Sequence, residues 1–122
     1  MVRSIALEIK AIGLINVQMA YYKKDLYLLE VNPRASRTIP FVSKTTNVPL
    51  ARIAAQIATG KKLKDFNLPS WDMINHVSVK EAVLPFNKFP EESIFLSPEM
   101  KSTGEVMGIS KTFGESFKRA II

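Results

Sequence analysis

The stretch from Leu14 to Arg37, LINVQMAYYKKDLYLLEVNPRASR, constrains the fold of this chain more than any other. It holds two short runs of alternating residues separated by a charged turn. A period of two is the signature of a half-buried strand. In the first run Ile15, Val17, Met19 and Tyr21 form one set, and in the second Tyr27, Leu29 and Val31 do. These apolar positions suit a buried face. The intervening Asn16, Gln18, Glu30 and Asn32 are polar. Successive strand side chains point to opposite sides, so Glu30 and Asn32 project together. Pairing of the runs as an antiparallel hairpin lets Gln18 join them. A three-residue loop of Lys23, Lys24 and Asp25 sets Gln18 opposite Glu30 and Asn16 opposite Asn32. A two-residue loop sets Gln18 opposite Leu29 and sends the polar groups to opposite faces. Pro33, with no N–H to give, ends the ladder.

The polar set has a chemical logic. One carboxylate and two amide oxygens are hard donors of the kind Mg²⁺ or Mn²⁺ accepts. Arg34 and Arg37 follow directly, and the guanidinium fork suits phosphate oxygens. A sheet face holding a metal and a polyphosphate is the functional reading. An ordinary hairpin with a solvated polar face would show the same alternation.

Composition narrows the class. With 122 residues and 47% apolar content, the chain has about one domain's worth of core. It has no cysteine, so neither a disulfide framework nor a cysteine zinc site is available. No apolar run approaches the ~20 residues that span a bilayer, and Glu8 and Lys10 interrupt any signal-peptide core at the N-terminus. A cytoplasmic protein without membrane partners is expected. The net charge of +6 is compatible with nucleic-acid binding, but the basic residues are dispersed and no aromatic-studded stripe accompanies them. A solvated surface is the simpler reading.

Around the hairpin, the spacing predicts a helix over residues 2–12 stopped by Gly13, a short helix starting near Pro40, and a clearer helix after Asn47-Val48-Pro49. The last of these has Leu50, Ile53, Ala54, Ile57 and Ala58 on its apolar face and ends at Gly60. A helix start beside the arginines would add N–H donors for phosphate. Lys44 reads as a surface lysine. Residues 61–75 are irregular, with Trp71 placed to plug an apolar edge. The only histidine, His76, has no partner motif around it. Residues 77–84 alternate as a strand closed by Pro85, after which Phe86 and Phe89 are expected to anchor the connection. Residues 98–110 read as loop and strand. Ser110 is the expected cap of a last helix, 111–122, with Phe113, Phe117, Ala120 and Ile121 on its apolar side.

Three separated motifs, EVNPRASR at Glu30–Arg37, LPFNKFP at Leu84–Pro90 and PEMKSTGEVMG at Pro98–Gly108, occur in this order. With the longer string LLEVNPRASRTIPFVSKTTNVPLARIAAQIATGKKL they resemble the large chain of carbamoyl-phosphate synthase, an ATP-grasp ligase. They are more similar to its second half, which phosphorylates carbamate, than to its first. The resemblance covers nearly the whole chain. It implies an α+β fold, an antiparallel sheet with helices packed on it, like the C-terminal subdomain of an ATP-grasp domain. On this resemblance residues 1–122 are a partial ATP-grasp domain whose lid and N-terminal portion lie outside the chain.

The resemblance also implies ATP and Mg²⁺ or Mn²⁺ as cofactors. It makes Gln18, Glu30 and Asn32 metal ligands, has Gln18 and Glu30 also line the ATP site, and gives Arg34 and Arg37 the catalytic task of holding phosphate. The implied partners are the remainder of the large chain, the glutamine amidotransferase small chain and carbamate, with no nucleic acid. The isolated chain is expected to be inactive, and its uncovered faces to favour self-association. A biotin-carboxylase-like ligase would share E-x-N but not LPFNKFP or STGEVMG. A basic binding module would share none of these.

Overall fold

A computed structural model describes residues 1–70, 74–91 and 93–121. The order of elements is α1 (Val2–Glu8), β1 (Asn16–Tyr22), β2 (Asp25–Asn32), α2 (Thr38–Thr46), α3 (Leu50–Ala58), β3 (Val77–Val83), β4 (Gly104–Ser110) and α4 (Phe113–Ala120). The class is α+β, and the strands form two separate antiparallel pairs, β1–β2 and β3–β4. The chain divides into two compact units, residues 1–73 and 74–122. No helix among the described residues is long and apolar enough to cross a membrane.

In the first unit the hairpin closes through two residues, Lys23 and Lys24, with Tyr22 paired to Asp25. Of the two loop lengths the sequence allows, the two-residue one is formed. Both lysines have positive φ, 48° and 71°. That is the signature of a type I′ turn, whose twist matches the strands. Left-handed backbone costs an ordinary residue about 1 kcal/mol, so this turn is held by the pairing on either side. Lys23 also lies over the Tyr22 ring, 5.1 Å from its centroid.

A bulge compensates for the short turn. Gln18 pairs with Glu30, but Met19 pairs with Leu28, which leaves Leu29 as an extra residue. The register on the Pro33 side is therefore the expected one, with Asn16 opposite Asn32. On the turn side it is not. Tyr27 pairs with Ala20 and so shares the face of Gln18, whereas simple alternation grouped it with Leu29 and Val31.

The expected burial of the hairpin's apolar set is only partly met. Ile15, Val17, Met19 and Val31 are half-buried. Tyr21, Tyr27 and Leu29 are exposed, at 72%, 48% and 64%. A two-stranded ribbon needs a third strand or a helix to cover it, and no third strand joins this pair.

α1 ends at Glu8, four residues before the expected limit. Lys10 takes the left-handed conformation, φ 50°. The amides of Lys10 and Ala11 donate to the carbonyls of Leu7 and Ala6, the paired bonds of a Schellman stop. The same motif closes α3 at Gly60, φ 106°, where the amides of Gly60 and Lys61 reach Ile57 and Gln56. α2 starts two residues before Pro40, which still falls in the first turn where its missing N–H costs nothing. α2 packs on α3, and Val48 between them is buried.

In the second unit β3 and β4 pair without irregularity from Val77–Ser110 to Val83–Gly104. α4 lies across both strands. Its cap is Thr112, whose hydroxyl accepts from the Glu115 amide at 3.3 Å, and not Ser110. Ser110 is the last residue of β4 and its hydroxyl donates to Glu115 Oε2. The contact line of α4 is Ser116 and Ala120, both buried, while Phe113, Phe117 and Ile121 are 63%, 39% and 55% exposed. Small residues win this contact because β4 offers Gly108. A Cβ there would collide with the Ser116 carbonyl, and it would come within 2.9 Å of the Ala120 nitrogen. In the connection between the strands Phe86 is half-buried as expected, but Phe89 is 55% exposed. Trp71 and the end of the expected last helix, Ile122, lie outside the described residues.

Candidate functional site

The polar face of the hairpin is assembled from both strands. Gln18 in the middle of β1 stands opposite Glu30, and Asn16 opposite Asn32 at the ribbon's end. Directly opposed residues share a face, so Gln18, Glu30 and Asn32 share one side. Gln18 and Glu30 are exposed and Asn32 is half-buried. The Asn32 Nδ2 group donates a hydrogen bond to Glu30 Oε1. That bond orients the amide and leaves Asn32 Oδ1 and Glu30 Oε2 as lone-pair donors on the same face.

These donors fit a hard divalent cation. One carboxylate and two amide oxygens give partial charge neutralisation and leave several coordination positions for water and phosphate, the arrangement Mg²⁺ favours. Among the described residues no three His, Cys, Asp or Glu side chains converge as a metal centre.

The two arginines sit where the chain leaves β2. The Arg34 amide donates to the Asn32 carbonyl at 2.8 Å, a tight bend just after Pro33. Its guanidinium Nη1 donates to the Ala35 carbonyl at 3.2 Å. Arg37 immediately precedes α2. Both arginines are exposed. Between them, Ser36 ties the loop to the helix start: its Oγ accepts from the Thr38 amide at 3.3 Å, and its carbonyl accepts from the Ile39 amide at 3.1 Å. The loop is thus ordered by its own backbone, with two cations displayed beside the ribbon's polar end.

Two residues on this face escaped the sequence reading. Tyr27 and Tyr22 belong to the side of Gln18, because Ala20 pairs with Tyr27 and Tyr22 follows Ala20 by two. Only the bulge puts Tyr27 there, and nothing in the string LYLLE marks it. A cleft of the second unit, about 530 Å³ and lined by Val83, Leu84, Val106, Phe117 and Ala120 among others, contains none of the five candidate residues.

Comparison with known proteins gives a consistent family. The family model described as "Carbamoyl-phosphate synthase L chain, ATP binding domain" matches residues 2–66. The carbamoyl phosphate synthase large chain of Pseudomonas syringae pv. tomato is 56% identical over 119 residues, which cover 98% of this chain and 11% of that protein. The large chain of Nostoc sp. is 52% identical over 121 residues, 95% of this chain and 11% of the relative. That of Methanocorpusculum labreanum is 54% identical over 118 residues, with 97% and 11% covered. This chain therefore spans about a tenth of the length of these relatives.

Proposed function

Since this chain belongs to the carbamoyl-phosphate synthase L chain ATP-binding family, we propose that it forms one wall of the ATP site that phosphorylates carbamate in the second half of that ligase. The observation that carries the reading is the register: Gln18 faces Glu30, and Asn16 faces Asn32, across the ribbon. Had the strands slipped by one residue, the carboxylate and the Gln18 amide would lie on opposite faces.

In this reading Gln18, Glu30 and Asn32 hold Mg²⁺ or Mn²⁺, and Gln18 and Glu30 also border ATP. When bound, the metal supplies charge neutralisation at the triphosphate. Arg34 and Arg37 hold the phosphate oxygens and the negative charge that develops on them in transfer. The order within the Arg34–Arg37 loop, maintained by Ser36, limits how far the two guanidinium groups wander. Phosphoryl transfer depends mainly on such positioning.

These residues form only one side of a site. As a partial ATP-grasp domain, the chain relies on other parts of the large chain for the facing lid, and it works beside the glutamine amidotransferase small chain in the intact enzyme, all within the cytoplasm. Alone, the 122 residues would bind Mg²⁺–ATP no tighter than about millimolar, because little of the nucleotide is buried.

A graft tests the reading. The matching tenth of the Pseudomonas syringae large chain is replaced by this chain, and carbamoyl phosphate formation is measured with the small chain present. Activity is expected in the graft and its loss on Asn32→Ala. A folded graft in which Asn32→Ala retains full carbamate phosphorylation would refute the site. Calorimetry of the isolated chain with Mg²⁺–ATP, together with an ADP assay, should show weak binding and no turnover.

A further inference from the structure

We propose that Tyr27 and Tyr22, with Ala20 between them, seat the nucleoside base on the polar face of the first hairpin, and that Tyr27 is the stacking residue. The inference rests on the reading of that face as a metal and triphosphate site.

The placement follows from the pairing. Tyr27 stands opposite Ala20, and Tyr22 opposite Asp25. Gln18, Ala20 and Tyr22 therefore line one side of β1, and Glu30 and Tyr27 line the same side of β2. Tyr22 and Tyr27 are diagonal neighbours, and such neighbours on one face lie about 7–8 Å apart. That is twice the ~3.5–4.0 Å contact distance of carbon atoms, so one flat ring fits between them. Ala20 brings only a methyl group to the floor of this notch.

Burial does not account for the two rings. Tyr22 is 60% exposed and Tyr27 is 48% exposed, whereas Ala20 is half-buried. Lys23 covers one face of the Tyr22 ring. Among the described residues Tyr27 makes no ring or cation contact, which leaves its face open to a base. Stacking of a base on an aromatic ring needs only that face.

Spacing joins the notch to the metal donors. Ala20 is two residues from Gln18, about 7 Å along the strand. With the outer phosphates on the metal, the α-phosphate and ribose bridge that interval and bring the base over Ala20. In the other direction β2 ends at Asn32, and the exposed Arg34 and Arg37 follow, which suit phosphate oxygens and not a base. The nucleotide thus lies along the ribbon, its terminal phosphate toward the arginines and its base toward the Lys23–Lys24 turn. Tyr21 is the internal control. It is 72% exposed, but it pairs with Leu26 on the opposite face.

The test follows the tyrosine ring signals of the 122-residue chain by ¹H–¹³C spectroscopy. Mg²⁺–ATP is titrated in one series and Mg²⁺–tripolyphosphate, which lacks the nucleoside, in the other. The Gln18 and Asn32 side-chain amides report the metal and phosphate end in the same samples. Expected are amide shifts with either ligand, shifts of the Tyr27 and Tyr22 rings with ATP alone, and none at Tyr21. In the grafted large chain, Tyr27→Ala should raise KM for ATP about tenfold, the scale of one lost base stack, and leave kcat within about twofold. Tyr27→Phe should keep the original KM, because the ring face is retained. Amide shifts with ATP while the Tyr27 and Tyr22 rings stay unmoved would overturn the seat and leave the metal reading standing. Ring shifts that tripolyphosphate reproduces, or that Tyr21 shares equally, would overturn it as well, as would an unchanged KM in Tyr27→Ala. Amides unmoved by both ligands would instead remove the metal reading, and the seat with it.

Discussion

The two hairpins of this molecule are built on opposite terms. β3 and β4 run in one unbroken register under α4, with Gly108, Ser116 and Ala120 buried at the contact. Their joint is a 20-residue connection, long by the usual measure, so tertiary packing and not the loop must set the pairing. β1 and β2 reverse this. Their turn is as short as a hairpin allows, their ladder is interrupted at Leu29, and β2 is exposed from Asp25 to Glu30. The first arrangement is stable because a helix covers it. The second is exposed along most of β2 and carries the charged and amide groups. Substitutions should therefore affect function in one hairpin and stability in the other.

The largest effect is expected at Glu30. In the grafted large chain, Glu30→Ala should lower carbamate phosphorylation about a hundredfold or more, the scale of losing one preorganised electrostatic group at a transferring phosphoryl. The urea midpoint should correspond to a stability change under about 0.5 kcal/mol, as for other exposed sites. A large loss of stability would mean that the polar face is structural, which would break the contrast between the hairpins.

At Gly108 the expectation is inverted. Gly108→Ala forces a Cβ against the Ser116 carbonyl and the Ala120 nitrogen, both backbone atoms of a helix that cannot turn aside. Overpacking of this kind costs about 3 kcal/mol, read as a fall in the denaturation midpoint of the 122-residue chain. A midpoint like that of the unmodified chain would show that α4 is not seated on β4 as described.

Ser116→Ala is a finer probe of the same seat. The Ser116 hydroxyl is fully buried and donates to the Val77 carbonyl at 2.8 Å. Its removal leaves that carbonyl short of a partner and should cost about 1 kcal/mol. Hydrogen exchange of the Val77–Ser110 end of the sheet should quicken in step, and unchanged exchange there would count against the bond.

The smallest change is predicted for Leu28→Ala. Leu28 is 47% exposed on β2, so its truncation should move stability by less than about 0.5 kcal/mol. A cost above about 1 kcal/mol would mean that this face is already covered in solution, by a second copy of the chain, and light scattering would then show a dimer.

Much of this was legible in the residues themselves, and the reason is locality. Alternation alone put Glu30 and Asn32 on one face, because side-chain direction on a strand depends only on position along it. Pro33 ended β2 and Gly60 closed α3 for equally local reasons, a missing donor and a tolerated left-handed φ. What joined Gln18 to Glu30 was not local. Pairing depends on the number of residues on both arms of the hairpin, and the turn that sets it contains two lysines in place of the Asn-Gly that would have announced it. The bulge at Leu29 had no mark in a run of leucines and tyrosine, so the side taken by Tyr27 could only be seen once the strands were paired. Burial was decided in the same way. Phe117 looked like core on a helical wheel, yet Ser116 holds that place, because the backbone of β4 opens at Gly108 and admits only a small residue. Periodicity tells which residues share a side; which side is covered, and by what, is a property of the partners that tertiary structure brings together.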